Sequence, residues 1–415
     1  MKGQTVAGTS RPSLKRMAVA GLGAVAVLQA AVVIVLGIAA WLKRRHQRQG
    51  FPHPDFPATH VGENHLQLYS YGRELYDALL AAIDSAHESI YLETFIWKGD
   101  AVGRAFKERL ARKAQQGVDV YVIFDSFGNL VVPHAFKIFP PEIHTLEYRP
   151  IRRPWHVLDP RRYALDHRKL LVVDGRVGFI GGYNLGSLYA TAWRDTHLRV
   201  DGRAAADLAQ DFVSFWNDHG PPTARITRHY PRQFDALIVQ RDNNALRLAF
   251  PIRDMYIAAI DRAEHHILLT NAYFIPDHML LASLKAAAER GVDVQVLLPW
   301  ISNHTLADWL ARGLFARCLQ AGIRIFAYQA MIHAKTCTID GQWSTIGTAN
   351  LDRLSSVGNY ETNVEIYSRD LAQQMQQLFA KDKENATEMT LARWEARPWY
   401  ARMSEHLLAP LRVFA

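Results

Sequence analysis

Residues 166–186 read DHRKLLVVDGRVGFIGGYNLG, and residues 332–352 read IHAKTCTIDGQWSTIGTANLD. Set in register 166 positions apart, they agree at eight of twenty-one letters: His, Lys, Asp, Gly, Ile, Gly, Asn and Leu. A second echo lies upstream, where AAIDSAHESIYLET (81–94) matches AAIDRAEHHILLTN (258–271) as a helix end running into an apolar strand. Helical segments follow at 103–116 and 280–290. In the first, Phe106, Leu110 and Ala114 share one face. Both helices run into a glycine, Gly117 and Gly291, the residue favoured just past a helix end. The tetrapeptide GVDV then opens an apolar strand in each copy. Strand–helix–strand units imply parallel pairing. The spacing therefore predicts two related α/β halves, near 59–225 and 235–390.

Within each quoted stretch, short apolar runs flank Asp174-Gly175 or Asp340-Gly341, a hairpin signal. His167 and Lys169, like His333 and Lys335, are two residues apart on the entering strand, so each pair faces one side. Asn184 and Asn350 each follow their histidine by 17 residues, and Asp195 and Glu361 each follow by 28. Packed about a pseudo-two-fold axis, the halves would bring both sets to one cleft.

Such a cleft suits phosphoryl-ester chemistry without a metal. Lysine charge and asparagine donors stabilise negative charge growing on phosphoryl oxygens. One imidazole can attack phosphorus and give a phosphohistidine, while the other donates and later accepts a proton. Asp195 and Glu361 would each hold an imidazole's second nitrogen and fix its tautomer. Among 18 histidines, a chance match to HxKxxxxD is expected only roughly 0.05 times, and two occur. Asp174 and Asp340 close the motif and are carried with the catalytic set, although Asp-Gly is also ordinary turn chemistry.

The composition narrows the alternatives. The two cysteines, Cys318 and Cys337, form no CxxC pair or Cys/His cluster, so neither a disulfide framework nor a zinc site is indicated. Lysine is not a zinc ligand, and no third histidine lies at ligand spacing. No GxxxxGK[ST] stretch supports ATP-loop chemistry. No metal or other cofactor is expected. The net charge of +8 favours an anionic partner, lipid phosphate or nucleic acid.

Residues 17–42 hold no charge and one polar residue, Gln29. At ~1.5 Å per residue they span about 39 Å, enough for a ~30 Å hydrocarbon core. A signal peptide has a shorter apolar stretch, so the segment reads as an uncleaved, single-pass anchor between an N-terminal tail (1–16) and a basic linker (43–58). Four positive charges precede it (Lys2, Arg11, Lys15, Arg16) and four follow (Lys43, Arg44, Arg45, Arg48), the second group denser. Location in the cell membrane with the catalytic domain on the cytoplasmic side is the expectation. Two further stretches stay open between a bilayer-surface and an ordinary role. They are RRPWHVLDPRRY (152–163) and the C-terminal tail (391–415), which holds Trp394, Trp399, Leu407, Leu408 and Leu411.

HRKLLVVD and HAKTCTID resemble the paired motifs of the phospholipase D superfamily. The duplication, the trailing GGYN and GTAN, and the anchor resemble its bacterial cardiolipin synthase branch. YLETFIW (91–97), NAYFIP (271–276), NYETNVEIY (359–367) and RPWYARMSEHLLAPL (397–411) add to the likeness, which spans about residues 60–411. The resemblance implies two phospholipase D-like α/β halves sharing one active site, preceded by one transmembrane helix where two are commoner in that branch. It implies a phosphatidyltransferase joining two phosphatidylglycerols with release of glycerol. His167 would be the nucleophile and His333 the acid and then base, with Lys169, Lys335, Asn184 and Asn350 on the phosphate. Phospholipid is the expected partner and nucleic acid is not. Rival readings are a phospholipase D yielding phosphatidic acid, transfer to another alcohol such as serine, and a tethered nuclease or nucleic-acid-binding protein.

Overall fold

The computed structural model describes residues 14–44, 50–231 and 235–414. Most of the N-terminal tail and the 45–49 part of the basic linker, with Lys2, Arg11, Arg45 and Arg48, lie outside the described residues.

The uncharged run forms one helix, Leu14–Arg44, within which Gly23–Lys43 is long and apolar enough to cross a membrane at a mean hydropathy of 2.5. Val32, Val33 and Leu36 pack against the core of the second half. Gln29 is satisfied there by donating to the Leu407 carbonyl at 2.9 Å.

Each half is built on a mixed eight-stranded sheet. The first runs, in spatial order, Thr59–Val61, Asn64–Tyr69, His197–Asp201, Val177–Gly181, Leu170–Val173, Ser89–Thr94, Asp119–Asp125 and Ile143–Tyr148. The second runs Ile238–Asn243, Glu361–Tyr367, Trp343–Gly347, Lys335–Ile339, His266–Asn271, Asp293–Pro299, Arg324–Tyr328 and Ala386–Met389. From Asn64–Tyr69 and from Ile238–Asn243 onward the two orders correspond strand for strand. The short edge strands Thr59–Val61 and Ala386–Met389 are each found in one half alone. In both sheets the three strands beginning with Ser89–Thr94 or His266–Asn271 pair in parallel, and the hairpin strands pair antiparallel to them.

Helices cross between the parallel strands because their apolar stripes demand it. Ala101–Gln115 starts where the Asp100 side chain accepts from Gly103 N at 3.1 Å, and buries Phe106, Leu110 and Ala114. His278–Glu289 starts the same way on Asp277. Gly117 (φ 89°) and Gly291 (φ 93°) end the two helices in the left-handed region, which glycine enters without a Cβ clash. Between the sheets lies a joint core. Tyr91, Val172, Ile180 and Leu198 from the first half meet Ile346, Val364 and Ile366 from the second. The C-terminal tail is helical, with Trp394 and Leu408 in the second half's core.

The hairpins correct one expectation. Asp174 and Asp340 sit at the turn, with φ of 52° and 53°, followed by Gly175 and Gly341 at 65° and 64°. The Asp174 carboxylate accepts from the backbone N–H groups of His87, Glu88 and Ser89 at 2.8–2.9 Å. Asp340 accepts from those of Glu264, His265 and His266 over the same range. Five residues of extended chain, roughly 16 Å at ~3.3 Å each, separate Asp174 from Lys169. These aspartates do not belong with the catalytic groups. Each clamps the hairpin turn to the start of the neighbouring parallel strand, and the backbone N–H groups there hold the carboxylate below its usual pKa against a desolvation that would raise it. Asp340→Ala should lower folding stability by about 2 kcal/mol, since three backbone donors lose their acceptor. A thermal melt beside turnover per folded molecule checks this. A collapse of kcat in protein that stays folded would return Asp340 to the catalytic set.

Candidate active site

His167 and His333 lie where the hairpin strands begin. Those strands run against the parallel trio, so their first residues stand at the C-terminal ends of the parallel strands, the end where open α/β sheets carry their sites. Each motif is pinned to the opposite half. His167 N donates to the Tyr360 carbonyl at 3.0 Å, and His333 N donates to the Arg194 carbonyl at 2.6 Å. The two contacts are pseudo-symmetric, because 194 and 360 are also 166 apart.

The side chains cross the same boundary. His167 Nδ1 lies 3.0 Å from both Glu361 carboxylate oxygens, and His333 Nδ1 lies 2.7 Å from Asp195 Oδ2. Each imidazole is thus oriented by the carboxylate of the other half, a swap that in-chain spacing does not reveal. With Nδ1–H donating to a carboxylate, Nε2 is the nitrogen left to attack or to carry a transferable proton. Lys169 donates to the His167 carbonyl at 2.6 Å, and Lys335 to that of His333. Asn184 is fixed by accepting from Ile96 N at 3.1 Å through Oδ1, which leaves its NH₂ as the uncommitted donor. Asn350 is buried and its Oδ1 has no partner.

Three groups at the site were not picked out by sequence reasoning. A Cβ on Gly182 would fall 2.0 Å from Asp195 Oδ1, so only glycine lets that short carboxylate reach His333. The corresponding position in the second copy is Thr348, whose hydroxyl donates to Glu361 Oε2 at 2.6 Å and braces the longer side chain. The signal was present as the difference between GGYN and GTAN. Aromatic rings form the third group: Phe95 stands edge-on to His167 at 4.9 Å, and Trp193 and Tyr273 lie 5.2 and 6.2 Å from His333. Phe95 and Tyr273 lie within YLETFIW and NAYFIP, and Trp193 two residues before Asp195, but no spacing repeated between the copies sets any of them beside a histidine.

Burial sets the electrostatics. It drives both imidazoles toward the neutral form, with His333 down to about 3, and the adjacent lysine charges add to the effect. Lys169 falls to about 7 and Lys335 to about 8, again mainly through desolvation. Burial disfavours charge on Asp195 and Glu361 too, but the imidazoles and lysines outweigh it, and both pKa values are lowered. The site therefore sets two carboxylates beside two lysines whose charge burial makes easy to lose. An entering phosphodiester anion favours protonation of all four basic groups.

The sequence matches the family described as "Cardiolipin synthase, PLD-like domain" over residues 79–216 and 256–383. It is 30% identical over 379 residues to a cardiolipin synthase of Clostridium perfringens (strain SM101 / Type A), covering 85% of this chain and 77% of that protein. A cardiolipin synthase of Staphylococcus aureus (strain Mu50 / ATCC 700699) is also 30% identical over 379 residues, covering 84% and 74%. Among solved structures, the phosphatidylserine synthase of Haemophilus influenzae Rd KW20 superposes with a TM-score of 0.64 at 14% identity, over 91% of this chain and 96% of that one. The chain belongs to the cardiolipin synthase family of phospholipase D-like proteins. It is accordingly an enzyme of that superfamily, a phospholipid phosphatidyltransferase.

Two measurements probe the site. Gly182→Ala should displace Asp195 from His333 and lower kcat by on the order of 10²–10⁴, as loss of a histidine-orienting carboxylate does. An unchanged kcat would mean the carboxylate needs no such approach. Affinity for a phosphate mimic such as tungstate should be full at low pH and weaken as Lys169 and Lys335 deprotonate through about 7 and about 8. The slope approaches tenfold per pH unit for each lysine lost. A Kd that stays flat from pH 6 to 9, read by calorimetry, would remove the lysines from anion binding.

Proposed function

We propose that this chain joins two phosphatidylglycerols into cardiolipin and releases glycerol through a phosphohistidine on His167. The observation that carries the reading is the reciprocal pairing of His167 with Glu361 and His333 with Asp195, which orients two imidazoles where the halves meet, each with a lysine two residues on. Kinship with cardiolipin synthases over most of the chain supports the choice of substrate.

In the first step His167 Nε2 attacks phosphorus and the phosphorus–oxygen bond to the glycerol headgroup breaks. His333 Nε2 passes its proton to the departing alkoxide, so glycerol leaves neutral. The substrate's negative charge favours the protonated form of His333, which burial disfavours. In the second step a hydroxyl of another phosphatidylglycerol gives its proton to His333 and attacks phosphorus, and the phosphorus–nitrogen bond breaks. His333 regains the proton it gave. Lys169, Lys335, Asn184 and Asn350 would hold the phosphoryl oxygens through both displacements. The family resemblance supports the first-motif histidine as nucleophile.

The test is mass spectrometry of the lipids after full-length, detergent-solubilised protein meets phosphatidylglycerol alone. Cardiolipin with equimolar glycerol is expected. His167→Ala and His333→Ala should each abolish it, and a chelator should leave the rate unchanged. Phosphatidic acid in place of cardiolipin would mean that water resolves the intermediate and the chain is a hydrolase.

A further inference from the structure

Two loops beside the cleft expose apolar side chains that the reaction does not use. They occupy residues 126–142 and 149–166 and leave the C-terminal ends of the neighbouring parallel strands Asp119–Asp125 and Ile143–Tyr148. They are tied together at the root, where Ser126 N donates to the Tyr148 carbonyl at 2.9 Å and Asp166 N donates to Asp125 Oδ2 at 3.0 Å. His167 follows at once, so the loops rise next to it. Leu158 is 83% exposed, Val131 81%, Leu130 69% and Trp155 61%. One exposed leucine is ordinary, but several on adjoining loops mark a binding surface.

The second loop holds these side chains outward rather than trailing them. Pro154–Leu158 and Pro160–Tyr163 are tight turns, Tyr163 Oη donates to the Val157 carbonyl at 2.6 Å, and Arg152 donates to the His219 carbonyl at 2.6 Å. Charge selects the partner. Residues 147–163 carry five arginines against two acids, and Arg153 stands 5.4 Å from the Trp155 ring. Aromatics at head-group level with arginines near phosphates are the pattern of a bilayer interface.

The path of the chain agrees with this. After the anchor it enters the folded domain at Phe51 and His53, whose rings lie 5.9 and 4.2 Å from that of Tyr71. Tyr71 follows the strand Asn64–Tyr69, which ends on the same side of the sheet as the cleft. We propose that this loop pair is a bilayer-inserting rim, which dips its apolar side chains into the anionic membrane holding the anchor and so sets the cleft at the lipid head groups. The proposal rests on the reading of the substrate as a bilayer phospholipid.

Cys318 and Cys337 are both buried, so a single introduced cysteine can be labelled selectively. Full-length Val131→Cys and Leu158→Cys, each carrying a bimane and reconstituted in phosphatidylglycerol-containing vesicles, should be quenched strongly by lipids doxyl-labelled near the head group. Gln116→Cys, at the opposite end of the first sheet, should not. Equal quenching at all three positions would overturn the proposal. So would a Leu158 probe shielded from water yet untouched by doxyl lipid, which would indicate a protein partner. Doubling Val131→Asp with Leu158→Asp should raise the KM for phosphatidylglycerol in vesicles about tenfold or more. The same variant should leave kcat on short-chain, monomeric phosphatidylglycerol unchanged. Quenching needs no turnover, so quenched probes in protein that makes no cardiolipin would sink the proposed reaction and leave the rim standing.

Discussion

The hydrogen bonds from His167 to Glu361 and from His333 to Asp195 are what the rest of the molecule is arranged to keep. Neither half can orient its own imidazole. A single copy of the fold would hold a histidine without its carboxylate and a carboxylate without its histidine. The shared core between the sheets and the backbone bridges from His167 to Tyr360 and from His333 to Arg194 serve this one requirement. A buried ion pair reinforces it. Arg194 forks onto Asp382 of the other half at 2.9 and 2.7 Å, both side chains almost fully buried, beside Asp195 in the chain. Removing one partner of such a pair leaves a buried charge uncompensated, at a penalty of about 3–5 kcal/mol. The two halves are therefore coupled by charge as well as by apolar contact.

Close packing of titratable groups leaves the lysines and imidazoles of the site weakly charged. Lost hydration pushes these groups toward their neutral forms, and an anion bound among them would oppose that shift. Interactions that strengthen as negative charge develops are those that accelerate a displacement rather than merely bind the ground state. Phe95, Trp193 and Tyr273 put apolar rings against the imidazoles, and apolar surroundings raise the worth of each charge interaction.

The duplication is not a perfect copy, and the differences are physically linked. Aspartate is one methylene shorter than glutamate. Its half provides Gly182 so that the carboxylate can approach, while the other provides Thr348 to steady the longer arm. His167 accordingly faces both oxygens of Glu361, and His333 faces one oxygen of Asp195. The two imidazoles thus stand in different surroundings, with His333 the more deeply buried of the pair.

The sequence by itself determined the duplication, the α/β class, the hairpins and the His, Lys and Asn letters. Each is written in local periodicity or in spacing that repeats 166 positions on, and local backbone geometry turns such patterns directly into structure. Asp174 and Asp340 show the limit of that reading. Their place in the motif marks them as reactive, yet the positive φ of the turn and three backbone donors make them clamps. The tertiary structure alone decided which carboxylate serves which histidine, because equal spacing in both copies fits pairing within a half as well as across halves. It also decided the close approach of Gly182 to Asp195 and the tie between the roots of the two exposed loops. Those depend on chain segments tens to hundreds of residues apart meeting at one sheet end, a matter of packing that no run of adjacent letters encodes.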